Sequence, residues 1–188
     1  MVTDKPRVGI SACLLGECVR YDGGHKRDAV LAETLGPLVQ WVPACPEVEV
    51  GLGIPRAPII LVGDAKAPRL VVEATGEDLT ERMQDYARAR LAGLATLGLH
   101  GYVLKEASPS CGLRGVPVYG GDAAPNIHGT GLFAAALVAR FPGLPVEEEG
   151  RLGDPATRAR FLERVFARAM ATGEEQPDAT SPRHARSA

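Results

Sequence analysis

Cys13, Cys18, Cys45 and Cys111 are the residues in this 188-residue chain whose type and setting point to chemistry. Three of them sit where the chain must turn, in "SACLLG" (residues 11–16), "PACPE" (43–47) and "SPSCG" (108–112). Such turns leave backbone N–H groups free to face sulfur, and those donors stabilise a thiolate or a cluster sulfur. One cysteine at a strand end is commonly an inert small hydrophobe; three in like surroundings point to shared work. Structural zinc favours four ligands, often as C-x2-C pairs, and the sequence contains no C-x2-C. An iron–sulfur cluster accepts thiolates from distant loops. A cubane on three cysteines has one iron without a protein ligand, open to a substrate. Cys13-x4-Cys18 matches only part of the plant-type ferredoxin spacing. Cys18 is therefore either a fourth ligand that would close the site or a bystander thiol, and the bystander reading is preferred.

The elements that would carry these cysteines read as alternating strands and helices. Residues 7–14 form a buried first strand and residues 27–38 a short helix stopped at Gly36-Pro37. Residues 39–47 make a second strand running into a proline turn, and residues 57–63 and 69–76 make two extended segments, read as a hairpin. The clearest helix covers 78–98, capped by Asp78 or Thr80, with Met83, Tyr86, Ala87, Leu91 and Leu94 on one face and Gly98 at its end. A third strand follows at 101–108, a helix at 131–141, a fourth strand at 144–150 and an amphipathic helix at 154–171, capped by Asp154 with Pro155 in its first turn. The expected fold is α/β, a single domain over residues 1–171 with a mainly parallel, Rossmann-like sheet flanked by helices. Residues 172–188 read as a disordered tail. Ligands of such sheets sit beyond the carboxyl ends of the strands. Cys13, Cys45 and Cys111 all belong to that edge.

Bulk properties narrow the field. A net charge of −2 argues against a broad nucleic-acid surface. The apolar runs fall well short of the roughly 20 residues a membrane span requires. The start "MVTDKPRVGIS" lacks the order of a secretory signal, so the expected setting is cytoplasmic and reducing. Structural disulfides are not expected there.

"ISACLLGECVRYDGGHK", "PACPEVEVGLGIPR" and "KEASPSCG", followed by "VPVY" and later "GTGLFAAAL", together resemble the DUF523 family, whose members include the thiouracil desulfidases. The resemblance runs over about residues 7–148. It implies a [4Fe-4S] cluster held by Cys13, Cys45 and Cys111, with the fourth iron open to a thiocarbonyl sulfur. It implies catalytic roles for Glu47 and Ser108, and a thiolated nucleobase such as 2-thiouracil as substrate, with hydrosulfide as the released product. Conversion of C=S to C=O is not a net redox reaction: a soft iron absorbs the charge of the departing sulfur, and a carboxylate takes the proton of the attacking water. Glu47 lies two residues past a cysteine, which places it nearby; the competing role for it is a solvated or arginine-paired loop residue. Ser108 would orient water or the ring, with Ser110 as the competing choice and an ordinary turn-closing serine as the plain reading. Arg20 would bind a carbonyl or phosphate and Tyr21 would stack on a ring, against a structural Arg20–Asp22 pair. Arg56 reads as a salt-bridge partner, and His128 as a loop cap within reach of the pocket. Two other functions remain open at this level: a non-catalytic iron–sulfur or zinc sensor, and a sulfur enzyme acting on a thiolated tRNA base.

Overall fold

A computed structural model describes residues 5–120 and 124–174. Its centre is a four-stranded, all-parallel sheet in the order β2-β1-β5-β8, formed by β1 (Arg7–Ser11), β2 (Gln40–Ala44), β5 (Gly101–Leu104) and β8 (Val146–Glu148). The central strand β5 is buried along its whole length, as parallel strands covered on both faces are. Alternation along it divides the core. Tyr102 and Leu104 pack with Leu91, Leu94, Phe133 and Leu137 from α2 (Thr80–Thr96) and α3 (Leu132–Arg140). Val103 joins Val8, Ile10, Leu31, Leu35, Phe161 and Val165 on the opposite face, under α5 (Pro155–Glu174). The expected Rossmann-like, helix-flanked parallel sheet is present.

A second sheet, of mixed direction, has the order β4-β3-β6-β7. β3 (Ile59–Val62) and β4 (Arg69–Val72) form the expected antiparallel hairpin. β6 (Val116–Tyr119) and β7 (Asn126–Gly129) extend it, and neither was expected as a strand. β6 is four residues long with a proline inside it, too short and too interrupted to show a period of two. Leu61, Leu70, Val116, Val118, Leu79 and Met83 close this smaller core.

Other local expectations are revised. The helix expected over 27–38 is a single wide turn, Val30–Leu35, started by Leu31 N–H donating to Asp28 Oδ1 at 2.9 Å. The turn expected after Cys45 is a short helix, α1 (Pro46–Glu49). Thr80 does not cap α2: its Oγ1 accepts Leu70 N–H at 2.9 Å and ties the helix to β4. The last expected strand is three residues long and passes into α4 (Glu149–Leu152). Asp154 accepts Thr157 N–H at 2.8 Å, as expected of a cap. α5 continues through Thr172 to Glu174, past the expected start of the tail, and Thr172 Oγ1 lies 3.0 Å from His100 Nε2. The remainder of that tail lies outside the described residues.

Gly131, just ahead of α3, allows the close seating of that helix on the cysteine loop. A Cβ there would lie 2.5 Å from the Ser110 carbonyl carbon and oxygen and 2.9 Å from Cys111 N. These are backbone atoms, held by Phe133 and Ala134 N–H donating to Ser110 O. Gly131→Ala is therefore expected to destabilise by about 1–3 kcal/mol as an overpacking change. A thermal melt should show it as a loss of roughly 2–4 °C per kcal/mol; an unchanged melting temperature would contradict the seating described.

Candidate active site

The chain leaves β1 for its neighbour β2 on one side and later enters β5 on the other, so the strand order reverses at β1. A crevice opens beyond the carboxyl ends at such a switch point. It is a cavity of about 490 Å³, and Cys13, Cys45 and Cys111 all line it. Cys13 lies in the 3₁₀ turn Ala12–Leu15 directly after β1, Cys45 between β2 and α1, and Cys111 in the loop after β5. The convergence expected from the sequence is therefore present. Cys18 is exposed and is not among the lining residues.

Each sulfur has a defined setting. Cys45 precedes α1, and the N–H groups of Val48 and Glu47 favour its thiolate. Its own amide donates to Glu49 Oε1 at 2.9 Å, and the Tyr86 hydroxyl donates to Glu49 Oε2 at 2.8 Å, so a helix–helix contact fixes the loop. Burial nevertheless raises the Cys45 thiol. Cys13 is pushed up to about 11, first by burial and then by Cys45, with Lys105 opposing. Cys111 is raised well above an ordinary thiol by burial, then by Glu47, with Cys45 and Cys13 adding to it. Burial and mutual repulsion favour the neutral thiols here, so ionising all three takes a cationic partner, which metal coordination would supply. Among the described residues, no three His, Cys, Asp or Glu side chains are gathered as ligands of a single metal ion. The thiols stand around a cavity instead. The donor set is all sulfur, which suits iron–sulfur ligation.

Glu47 and Ser108 face each other across the same cavity. Arg56 donates to Glu47 Oε2 from Nε at 3.0 Å and from Nη2 at 2.6 Å, and the Arg56 side chain is only 5% exposed. Both contacts fall on one oxygen. The other, Oε1, faces the Ser108 hydroxyl at 3.4 Å, longer than a well-formed O–H···O bond. Glu47 is thus arginine-paired, as one expectation held, and the oxygen that Arg56 does not engage is turned toward Ser108. Ser108 Oγ accepts Ser110 N–H at 3.2 Å and Cys111 N–H at 3.1 Å, so it closes the cysteine loop as well as facing Glu47.

Arg20 and Tyr21 line the cavity, with the Arg20 guanidinium 5.4 Å from the Tyr21 ring centroid and 3.4 Å from Asp22. The structural Arg20–Asp22 pair and the position on the cavity wall hold together. Ser110 is not among the lining residues: it is completely buried, and among the described residues its hydroxyl has no hydrogen-bond partner. Ser110 therefore stands behind the cavity wall, with α3 packed over its backbone. His128 is exposed on β7 and likewise absent from the lining. Lys26, Glu73, Lys105 and Glu106 line the cavity without having been singled out from sequence. The Lys105 Nζ pairs with Glu149 and donates to Glu106 O at 3.0 Å. Its place in "KEASPSCG" was the available signal, six residues before Cys111 and directly after the strand that delivers the loop.

The 2-thiouracil desulfurase family profile matches residues 8–149. An uncharacterized protein of Bacillus subtilis (strain 168), YbbK, is 35% identical over 153 residues, covering 77% of this chain and 97% of that protein. The solved structure of the [4Fe-4S]-dependent thiouracil desulfidase TudS superposes with a TM-score of 0.65 at 32% identity, over 83% of this chain and 99% of that one. The matched range spans the three cysteines and Glu47, and the chain belongs to the 2-thiouracil desulfurase family.

Proposed function

We propose that the chain is a [4Fe-4S]-dependent desulfidase that converts the C=S group of a thiolated pyrimidine such as 2-thiouracil to C=O. Water supplies the oxygen and the sulfur leaves as hydrosulfide. The observation that carries this reading is the meeting of three cysteines from three strand ends with Glu47 in one cavity. Cys13, Cys45 and Cys111 are the residues that would hold the cluster, and Cys18, outside the cavity wall, is not one of them. When bound, the cluster supplies a soft Lewis acid for the departing sulfur.

The protein side chains divide the remaining work. Glu47 accepts the proton of the attacking water through Oε1, the oxygen that Arg56 leaves free. Arg56 holds the carboxylate in one orientation, and is itself fixed by donating to the carbonyls of Gly53 at 2.9 Å and Val19 at 3.0 Å. Ser108 directs its hydroxyl proton toward Glu47 while its oxygen is occupied by the loop amides. Arg20 and Tyr21 on the wall offer a cation and a ring face to a pyrimidine carbonyl and its π surface.

The test is anaerobic reconstitution with iron and sulfide, followed by incubation with 2-thiouracil. Uracil and hydrosulfide are expected in equal amounts with no added reductant. A fully loaded protein that releases neither would overturn the assignment.

A further inference from the structure

The loop that carries Ser108 and Cys111 begins with a strained turn. Ala107, at φ 55°, is the one non-glycine residue with positive φ among the described residues. Alanine meets a steric penalty in that left-handed region that glycine escapes, and such a conformation persists only where its surroundings impose it. Ala107 lines the cavity, with Glu106 before it and Ser108 after it on the same wall. Both neighbours are fastened. Ser108 Oγ accepts the amides of Ser110 and Cys111. Glu106 N–H donates to Glu149 Oε2 at 2.7 Å. Glu149 Oε1 pairs with the Lys105 ammonium, which also donates to Glu106 O at 3.0 Å. Glu149 follows directly on β8, is 9% exposed and is not itself among the lining residues. A carboxylate buried to this extent is costly unless it is paired and hydrogen-bonded. Here both of its oxygens are turned onto Lys105 and Glu106, the two residues that precede Ala107. Glu148 serves the far end of the same loop, where its Oε1 accepts the amides of Leu113 and Arg114.

We infer that Glu149 is a positioning residue for the Cys111 loop: by anchoring the Lys105 ammonium and the Glu106 amide it holds Ala107 in its left-handed turn, and that turn sets Ser108 on the cavity wall facing Glu47. The bearing on catalysis rests on the desulfidase reading above; the anchoring of the turn does not. Without the anchor the penalty at Ala107 favours a relaxed loop, and the first residue to move is Ser108.

The test compares the parent with Glu149→Ala, Glu149→Gln and the double variant Glu149→Ala/Ala107→Gly, each reconstituted anaerobically. Amide hydrogen exchange is followed over residues 105–112, and kcat for 2-thiouracil is measured on protein of matched iron content. Loss of a hydrogen bond to a charged group shifts a local opening equilibrium by about tenfold or more, so exchange in Glu149→Ala is expected to be about tenfold faster than in the parent. Its kcat is expected to fall about tenfold, since misplacement by about 1 Å costs up to about 10²-fold. Adding Ala107→Gly removes the penalty that drives the turn apart and is expected to recover about threefold or more of each change; a plain loss of packing would not be repaired by a glycine. Glu149→Gln keeps an acceptor for the Glu106 amide but loses the charge, and its exchange is expected to be about fivefold faster than the parent's. A loaded Glu149→Ala with the parent's exchange or the parent's kcat overturns the inference, as does a change that Ala107→Gly leaves in place. Where Glu149→Ala does not fold, Glu149→Gln decides, and exchange at the parent's rate there overturns the inference. A loaded parent that releases no hydrosulfide overturns the desulfidase reading, and the exchange comparison still decides whether Glu149 holds the turn.

Discussion

Cys111→Ala, purified anaerobically and reconstituted, is expected to hold almost no iron or acid-labile sulfide and to lose thiouracil turnover. Cys18→Ala is expected to match the parent in both. Cys111 is the most deeply set of the three thiols, packed among Leu104, Phe133 and Ala134 and held in place by its amide on Ser108. Removing its sulfur takes away the ligand supplied by the loop after β5. The cavity wall contains no fourth cysteine to replace it, and Cys18 is exposed and outside that wall. Alanine removes little volume, and the loop remains fastened by Gly131 N–H on Gly112 O at 2.7 Å and by Leu113 N–H on Glu148 Oε1 at 2.8 Å. Loss of metal should therefore come without loss of fold, which circular dichroism can check. Iron and sulfide per chain decide the matter. Retention in Cys111→Ala with loss in Cys18→Ala would reassign the ligands, and one zinc without sulfide in the parent would replace the cluster by a different metal.

How much of this site was readable from the chain differs residue by residue. The three cysteines were legible because their strands are: β1, β2 and β5 are apolar runs that end in turn-forming residues, and parallel strands bring their carboxyl ends to one edge. Glu47 was legible through its distance of two residues from Cys45. The partner of Glu47 was not placed in advance, because Arg56 reaches it from a separate loop, nine residues along the chain. The Ser108 and Ser110 assignments show the limit more sharply. Both belong to one short loop, and nothing in "SPSCG" separates them. Packing does: α3 covers Ser110, while Ser108 is left on the cavity side. The second sheet was half legible for a similar reason, since the hairpin of β3 and β4 is local whereas β6 joins that hairpin by pairing with β3 across more than fifty residues.

Glu47→Gln should separate metal binding from chemistry. The glutamine is nearly isosteric, so Cys45, two residues earlier and fastened through Glu49, is expected to keep its place and the protein its cluster. What disappears is the acceptor for the proton of water. General-base groups contribute about 10²–10⁴ in rate, and kcat for 2-thiouracil is expected to fall by that factor. The substitution also leaves the Arg56 guanidinium, almost wholly buried, without its carboxylate. Removing one partner of a buried ion pair costs about 3–5 kcal/mol in the least favourable cases. The carbonyls of Val19 and Gly53 still accept from Arg56, so the loss in melting temperature should fall below that limit. The two effects are distinguished by measuring them separately: melting reports the orphaned cation, and single-turnover kinetics on protein of matched iron content report the lost base. Arg56→Lys supplies the complementary case. It keeps a positive charge beside Glu47 but cannot reproduce the two contacts that both fall on Oε2. A kcat for cluster-loaded Glu47→Gln within tenfold of the parent would assign the proton to another group, and Lys105, on the same wall and paired with Glu149, would be the next residue to replace.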